Sequence, residues 1–98
     1  MCGATRGGPS TEGLDLAGAA VVQGVVLRDG DPVPDGYVRL LDAGGEFTAE
    51  VPTSATGQFR FFAAPGRWTV RTLVPKAEVV DRQVVATLGE VADLAVTV

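Results

Sequence analysis

Apolar and polar residues alternate along the chain in short stretches that recur at about ten-residue spacing, as in all-β domains. Residues that favour turns, mainly glycine, proline and aspartate, separate these stretches. The pattern predicts seven strands, at residues 21–27, 37–41, 46–52, 58–62, 67–74, 76–86 and 92–98. Strands of this length and spacing predict an antiparallel β-sandwich, and a small barrel is the architecture that competes with it.

The alternation also predicts which side chains meet between the two sheets. On most strands every second residue is apolar or small, and these positions are expected to point into the sandwich. The predicted core is Val22, Gly24, Val26, Val38, Leu40, Phe59, Phe61, Trp68, Val70, Leu94, Val96 and Val98.

Several positions on the outward side of the same strands are apolar as well. They are Val21, Val25, Leu27, Tyr37, Leu41 and Phe62. One interpretation is that they are scattered surface side chains, or that the register is shifted. The other is that they form one contiguous patch for dimerisation or for a protein partner. In that case the predicted partner-binding residues are Val25, Leu27, Tyr37 and Phe62.

Residues 1–19 lack this periodicity and are rich in glycine, alanine, serine, threonine and proline. Such a composition is typical of a flexible, disordered tail. We therefore expect an N-terminal tail over residues 1–19, which contributes nothing to the core, and one β-sandwich domain over residues 20–98. A chain of 98 residues is long enough for a single domain with a modest core.

The charge distribution argues against one class of partner. The net charge is −4 at pH 7, and the arginines stand among acidic residues without clustering. A protein that binds nucleic acid through its phosphates needs a basic face. We therefore expect no nucleic-acid partner.

Cysteine content and hydropathy predict the compartment. With one cysteine the chain forms no internal disulfide, so its fold does not depend on an oxidising compartment. No apolar run is long enough to span a bilayer, and no hydrophobic stretch typical of a signal peptide stands near Met1. We expect a cytoplasmic protein with no membrane partner.

The sequence contains no histidine, which removes the commonest general base and the commonest metal ligand. One cysteine without histidine cannot build a structural zinc site. Asp29, Asp31 and Asp35 lie close together in the sequence, but their spacing differs from that of an EF-hand loop. We expect a solvated acidic loop there, with a weak cation site as the alternative. The sequence thus predicts no catalytic residue, no metal and no cofactor, and a protein that is not an enzyme.

Cys2 is the residue whose side chain stands out chemically. Removal of Met1 is favoured before a small residue, and we expect it to leave Cys2 as the N-terminal residue. Its thiol would then lie beside the α-ammonium group, whose positive charge favours the nucleophilic thiolate. Such a thiol suits a carrier of sulfane sulfur or a redox-sensitive site. The simpler interpretation is an incidental cysteine in a tail.

Four short motifs within residues 20–98 resemble the carboxypeptidase regulatory-like modules of the prealbumin-like sandwich class. They are Gly24-Val25-Val26, Pro32-Val33-Pro34-Asp35-Gly36, Thr56-Gly57-Gln58-Phe59 and Pro65-Gly66-Arg67-Trp68-Thr69-Val70. The resemblance implies a prealbumin-like or immunoglobulin-like sandwich and says little about activity. Such modules usually carry an aspartate at the place where this chain has Ser54.

A more specific resemblance covers nearly the whole chain. The stretch VRLLDAGGEFTAEVPTSATGQFRFFAAPGRWTVR at residues 38–71 and the initial MCGA are similar to a family of small actinobacterial proteins of unknown function, called SseC-like. Members of that family are typically encoded beside a rhodanese-type thiosulfate sulfurtransferase, and their cysteine matches Cys2. The resemblance therefore implies a role in sulfur transfer.

Two hypotheses follow. In the first, the protein is a non-catalytic accessory protein of sulfur metabolism, in which Cys2 accepts sulfane sulfur from a thiosulfate sulfurtransferase that the sandwich binds. In the second, it is a scaffold module without sulfur chemistry, homodimeric or bound to another protein through the outward apolar positions. The chain is not expected to be the sulfurtransferase itself, because a rhodanese-like enzyme needs an α/β domain.

Overall fold

The computed structural model describes residues 8–10 and 18–98. Every regular element in these residues is a strand, which confirms the predicted all-β class. The strands are β1 (Ala20–Arg28), β2 (Asp31–Pro32), β3 (Tyr37–Leu41), β4 (Phe47–Pro52), β5 (Gln58–Ala63), β6 (Gly66–Leu73), β7 (Val80–Ala86) and β8 (Val91–Thr97). Valine and aromatic residues occupy many strand positions, as their β-propensity favours.

The strands form two four-stranded sheets that pack face to face as a sandwich. In sheet A, β1 pairs with β2 and β5 in antiparallel orientation and with β8 in parallel orientation. Sheet B has the order β4-β3-β6-β7, and all its pairs are antiparallel. The Cα atoms extend over 36 × 34 × 16 Å, a flat shape with one sheet on each broad side. The prediction of a sandwich is confirmed.

Three details differ from the prediction. The structure has eight strands and not seven, because residues 31–32 turn back along the end of β1 as the short strand β2. The β1–β8 pair is parallel, because the chain crosses from β7 in sheet B to the side of β1 in sheet A. The strand predicted to begin at residue 76 begins at Val80, since Lys76 has a φ of 62° that interrupts extended backbone.

The core between the sheets consists of the predicted apolar side chains together with a few more. The predicted positions are either fully buried or packed against the buried cluster. Phe59 and Phe61 lie with their ring centroids 6.1 Å apart. Gly24 leaves room for the first of these rings, because a Cβ atom at Gly24 would lie 2.7 Å from Phe59 Cζ. The structure adds to the core Ala20, Val33, Val74 and Ala86.

Polar residues close two of the predicted turns. Asp29 and Gly30 have φ values of 53° and 85°, the left-handed conformations that a two-residue hairpin between β1 and β2 favours. In the turn between β4 and β5, Ser54 Oγ accepts hydrogen bonds from the N–H groups of Thr56 and Gln58 at 3.3 and 3.1 Å. Ser54 thus satisfies two main-chain donors of this turn.

Candidate functional site

A polar row crosses the outer face of sheet A, between apolar positions of its central strand. Gln23 of β1 is paired in register with Arg60 of β5 on one side and with Asp93 of β8 on the other. Val22 lies in the core, so the next side chain, Gln23, points to the outer face, and its register partners share that face. The row therefore places a cation, an amide and a carboxylate side by side.

Gln23 is deeply buried for a polar residue, with 1% of its surface exposed. Its Nε2 atom donates to Asp93 Oδ2 at 3.0 Å, and its Oε1 atom accepts from Arg60 Nε at 2.9 Å. A buried amide is stable when its donors and acceptors have partners. Gln23 therefore connects the Arg60 cation to the Asp93 carboxylate through a single side chain.

Four polar side chains of sheet A hold residues 8–10, which we call the N-terminal segment. We call the four side chains the polar cradle, and they are Gln23, Gln58, Arg60 and Asp93. Their hydrogen bonds to the segment are Gly8 N–H to Asp93 Oδ1 (2.7 Å), Gln58 Nε2 to the Gly8 carbonyl (3.0 Å), Gln23 Nε2 to the Pro9 carbonyl (2.8 Å) and Arg60 Nη2 to the Ser10 carbonyl. All four end on main-chain atoms, so the polar cradle recognises the path of the backbone.

The first two residues of the N-terminal segment suit this mode of binding. Pro9 has no N–H, so every main-chain polar group of Gly8 and Pro9 is paired. Residues 8–10 lie within the predicted tail and add nothing to the core between the sheets. They do, however, contact the outer face of the sandwich domain.

Gly8 is the position where the identity of the residue matters. A Cβ atom added there would lie 2.7 Å from the Gly24 nitrogen and 3.0 Å from Gln23 Cγ. The first of these neighbours is backbone of the central strand of sheet A and cannot move aside. The polar cradle therefore requires glycine at this position. By contrast, a Cβ atom at Gly18 would meet no atom within 4 Å.

The predicted partner-binding residues do not form one surface, and this prediction is corrected. Val25 is buried, with 2% of its surface exposed, and Leu27 is half-buried. Phe62 is 63% exposed on the outer face of sheet A, whereas Tyr37 is 52% exposed on sheet B. Alternation correctly indicates that both aromatic side chains point outward. It does not show that their strands belong to different sheets, whose outer faces lie on opposite sides of the sandwich.

The outer face of sheet B carries a row of four charges. From β4 to β7 the row consists of Glu50, Arg39, Arg71 and Asp81. Arg39 Nε lies 3.2 Å from Glu50 Oε1, while Arg71 donates from Nε and Nη2 to both Asp81 oxygens at 2.9 Å. The hydrogen bonds from Arg71 lower the pKa of the Asp81 carboxyl below its ordinary value. Each cation has its own carboxylate, so the row carries no net charge.

Apolar side chains flank this row of charges. The Arg39 guanidinium lies 6.0 Å from the ring centroid of the exposed Phe47. On the other side of the row is a shallow apolar groove of about 320 Å³, lined by Tyr37, Leu73, Val74, Pro75, Ala77 and Val79. The outer face of sheet B thus combines aromatic, aliphatic and paired charged side chains.

Other predicted features are placed as follows. Cys2 lies outside the described residues. Within residues 8–10 and 18–98, no three or more acidic or cysteine side chains are grouped so that they could hold a metal ion, and this includes the loop with Asp29, Asp31 and Asp35. Over the same residues, no helix is long and apolar enough to cross a membrane.

The polar cradle was not predicted from the sequence, although Gln23 indicates that a buried polar contact is present on the first strand. Gln23 interrupts a run of valines in the first strand, and a polar residue in such a run needs hydrogen-bond partners. Those partners are Pro9, Arg60 and Asp93, which are 14, 37 and 70 positions away. No local pattern shows that these residues meet.

Comparison with known proteins identifies the family. A family model described as "Protein of unknown function (DUF1416)" matches residues 2–98. An uncharacterized protein of Mycolicibacterium smegmatis is 60% identical over 62 residues, which cover 62% of this chain and 69% of that protein. Two uncharacterized proteins of Mycobacterium tuberculosis are each 53% identical over 75 residues, which cover 74% of this chain and 75% of each relative. With relatives in these actinobacteria and a match over almost its full length, the chain belongs to the DUF1416 family of proteins of unknown function.

Proposed function

We propose that the protein is a non-catalytic accessory protein of sulfur metabolism, in which Cys2 accepts sulfane sulfur from a rhodanese-type thiosulfate sulfurtransferase. The observation that carries this proposal is the polar cradle, which holds the main chain of residues 8–10 against sheet A. Gly8 follows Cys2, the only cysteine of the chain, by six positions. The sandwich therefore binds the chain at a point that is close in sequence to the thiol. An accessible thiolate is what sulfur exchange requires, and binding of the segment would keep the thiol near a folded surface that a donor can contact.

The chemical step involves only the two sulfur groups. The Cys2 thiolate attacks the outer sulfur of a persulfide on the donor enzyme and forms a new S–S bond, while the S–S bond of the donor breaks. The donor leaves as a thiolate, and Cys2 becomes the persulfide. No net oxidation occurs, so the transfer consumes neither oxidant nor reductant. An α-ammonium group beside Cys2 would increase the fraction of thiolate.

A resemblance in sequence supports the proposal. The likeness of residues 38–71 and of the initial MCGA to the SseC-like proteins implies sulfur transfer, with Cys2 as the matching cysteine. We also propose that the protein acts in the cytoplasm, because a chain with one cysteine has no internal disulfide that would need an oxidising compartment.

Intact mass spectrometry tests the proposal. The purified full-length chain is incubated with thiosulfate and a rhodanese-type sulfurtransferase, and its mass is recorded before and after treatment with a thiol reductant. We expect a chain without Met1 that gains one sulfur atom, which the reductant removes. The matched control is Cys2→Ser, which keeps the size and polarity of the side chain and is expected to gain no sulfur.

Two results would reject the proposal. One is that the wild-type chain gains no sulfur while the enzyme turns over thiosulfate. The other is that Cys2→Ser gains sulfur to the same extent as the wild-type chain.

A second candidate function is a scaffold module that binds through the outer face of sheet B. The exposed apolar side chains on this face favour it, and they are Tyr37, Phe47, Val79 and Val85. Aromatic and arginine side chains together are typical of protein interfaces. In this case the partner is a second copy of the chain or another protein, and Cys2 takes no part.

Sedimentation of the chain alone, over a range of concentrations, and with the sulfurtransferase tests this candidate. Tyr37→Glu is expected to weaken association, while Phe62→Glu, on the opposite face, should leave it unchanged. A wild-type chain that stays monomeric and forms no complex would reject self-association and binding of the sulfurtransferase through this face. Equal weakening by both variants would show that the outer face of sheet B is not the interface.

A further inference from the structure

We infer that the polar cradle is a main-chain binding site that confines Cys2 to the sheet A side and the rim of the sandwich. A sulfur donor must therefore approach that side or the rim. The conclusion about the donor rests on the proposed function, whereas the confinement of Cys2 does not. The side chains of the polar cradle act as positioning residues, because they fix the segment that follows the thiol.

The N-terminal segment is held at both ends by charged groups. At its start the Gly8 N–H donates to the Asp93 carboxylate, and at its end the Ser10 carbonyl accepts from the Arg60 guanidinium. Hydrogen bonds in which one partner is charged are stronger than neutral ones. Gln23 lies between the two charges and bonds to both, so it keeps them in place.

The close approach of Gly8 to Gly24 also fixes which residues occupy the polar cradle. If the segment shifted so that Pro9 took the place of Gly8, a side chain would meet the Gly24 backbone. The same shift would remove the N–H that Asp93 accepts, because proline has none. The N-terminal segment therefore cannot bind sheet A in the register that puts Pro9 in the place of Gly8.

The covalent chain then limits how far Cys2 can travel. Six residues of fully extended chain span about 21 Å, and Gly8 lies against Gly24 in the central strand of sheet A. The Cα atoms extend over 16 Å along the shortest axis of the molecule, and side chains add to this thickness. To reach the other face, the chain must pass around the edge of the sandwich, which uses at least 16 Å of its length. About 5 Å then remains for the path across the faces from Gly8 to Cys2, which is about one strand spacing. The middle of the outer face of sheet B, where Arg39 and Arg71 are paired, is out of reach.

A protein that passes sulfur to Cys2 must therefore contact the sheet A side or the rim of the sandwich. Phe62 is a large apolar side chain exposed on that face, and it follows Arg60 of the polar cradle by two positions on β5. Exposed aromatic side chains are frequent anchors in protein interfaces. The inference assigns Phe62, and not Tyr37, to the surface that the sulfur donor covers.

A nitroxide label on Cys2 of the full-length chain tests the confinement. Because the chain has one cysteine, the label attaches at a single position. It broadens the NMR signals of amides steeply as they come closer. We expect several-fold stronger broadening for Gln58 and Arg60 of sheet A than for Arg39 and Arg71 of sheet B. Equal broadening in the two sheets would overturn the inference.

Two valine variants test whether the polar cradle is the cause. Gly8→Val introduces a side chain against the Gly24 backbone, so we expect the contrast between the two sheets to fall. Gly18→Val adds the same side chain where a Cβ atom meets nothing within 4 Å, and the contrast should persist. If the NMR spectrum of Gly8→Val shows that this variant is unfolded, Asp93→Ala is used in its place to release the N-terminal segment from the polar cradle. We call the variant used for this purpose the releasing variant. An unchanged contrast in the releasing variant would overturn the inference.

The labelling experiment contains no sulfur donor. The confinement of Cys2 and the proposed sulfur transfer are therefore tested independently of each other. A preserved contrast in a chain that gains no sulfur would reject the proposed function and support the confinement. Sulfur gain on Cys2 together with equal broadening of both sheets would support the proposed function and overturn the confinement.

Discussion

The Asp93 carboxylate and the Gln23 amide lie 3.0 Å apart on neighbouring parallel strands, and both bind the main chain of the N-terminal segment. Gln23 is buried on the outer face of the central strand, whereas Asp93 on the neighbouring strand is exposed. The hydrogen bond between them therefore joins a buried side chain to an exposed one. One carboxylate oxygen accepts from Gln23 and the other from Gly8. The register between β1 and β8 is therefore the relationship on which the polar cradle depends.

Asp93→Ala should lower the free energy of unfolding by about 1–2 kcal/mol, because Gly8 N–H and the buried Gln23 amide lose an acceptor. Urea denaturation followed by tryptophan fluorescence measures the change. Asp35→Ala is the matched control, since Asp35 is exposed and forms no hydrogen bond within the described residues. Its effect should stay within about 0.5 kcal/mol. Equal effects of the two variants would contradict a structural role for the Asp93 hydrogen bonds.

Thr72→Val should stabilise the protein. Thr72 Oγ1 is buried and has no hydrogen-bond partner in the described part of the chain, so its hydroxyl is desolvated without compensation. Valine has nearly the same shape, and we expect the free energy of unfolding to rise by about 1 kcal/mol. A fall in stability would contradict this assignment.

Thr53→Val provides the contrast to that variant. Thr53 Oγ1 accepts the Gly36 N–H at 3.0 Å in a buried position. Valine would leave this donor unpaired, so we expect the free energy of unfolding to fall by about 1–3 kcal/mol. The same denaturation experiment measures both threonine variants, and opposite signs are the expected result.

The ion pair between Arg71 and Asp81 should make part of the stability depend on pH. Hydrogen bonds from Arg71 lower the pKa of Asp81 in the folded protein, so the carboxyl stays ionised to a lower pH than in the unfolded chain. The stabilisation is therefore present above the ordinary Asp pKa of about 3.9 and is lost as the pH falls through the lowered value. Both side chains are partly exposed, so the effect should be small.

Asp81→Asn and NMR titration measure this dependence. The variant should be less stable than the wild-type chain at neutral pH, and the difference should vanish in acid. Replacing Arg71 with methionine should raise the pKa of Asp81 towards its ordinary value. Glu78→Gln, at an exposed position without an ion pair in the described residues, is the control for the loss of one carboxylate. An Asp81 pKa that does not respond to the loss of Arg71 would contradict the assigned cause.

The core was predictable from the sequence because alternation is a local property. Val22 and Phe61, for example, each stand at an inward position of a short strand, and both are buried. Turn residues were equally local, as the left-handed Asp29 and Gly30 show. Each of these features depends only on residues close together in the chain.

Strand pairing and the candidate site depend on residues far apart in the chain. The parallel pairing of β8 with β1 cannot be derived from the pattern of either strand, and Asp93 meets Gln23 only through it. Tyr37 and Phe62 were both expected to point outward, but only the assignment of their strands to sheets separates them. Cys2 remains a prediction from the sequence.

The initial rate of sulfur gain on Cys2 tests most directly the claim that the sandwich positions a sulfur-accepting thiol. The wild-type chain, Gly8→Val and Gly18→Val are mixed at low concentration with a sulfurtransferase that carries a persulfide, and intact masses are recorded at short times. We expect equal rates for the wild-type chain and Gly18→Val, and a several-fold lower rate for Gly8→Val that recovers at saturating concentration. No sulfur gain by the wild-type chain, or one rate for all three proteins, would contradict the claim.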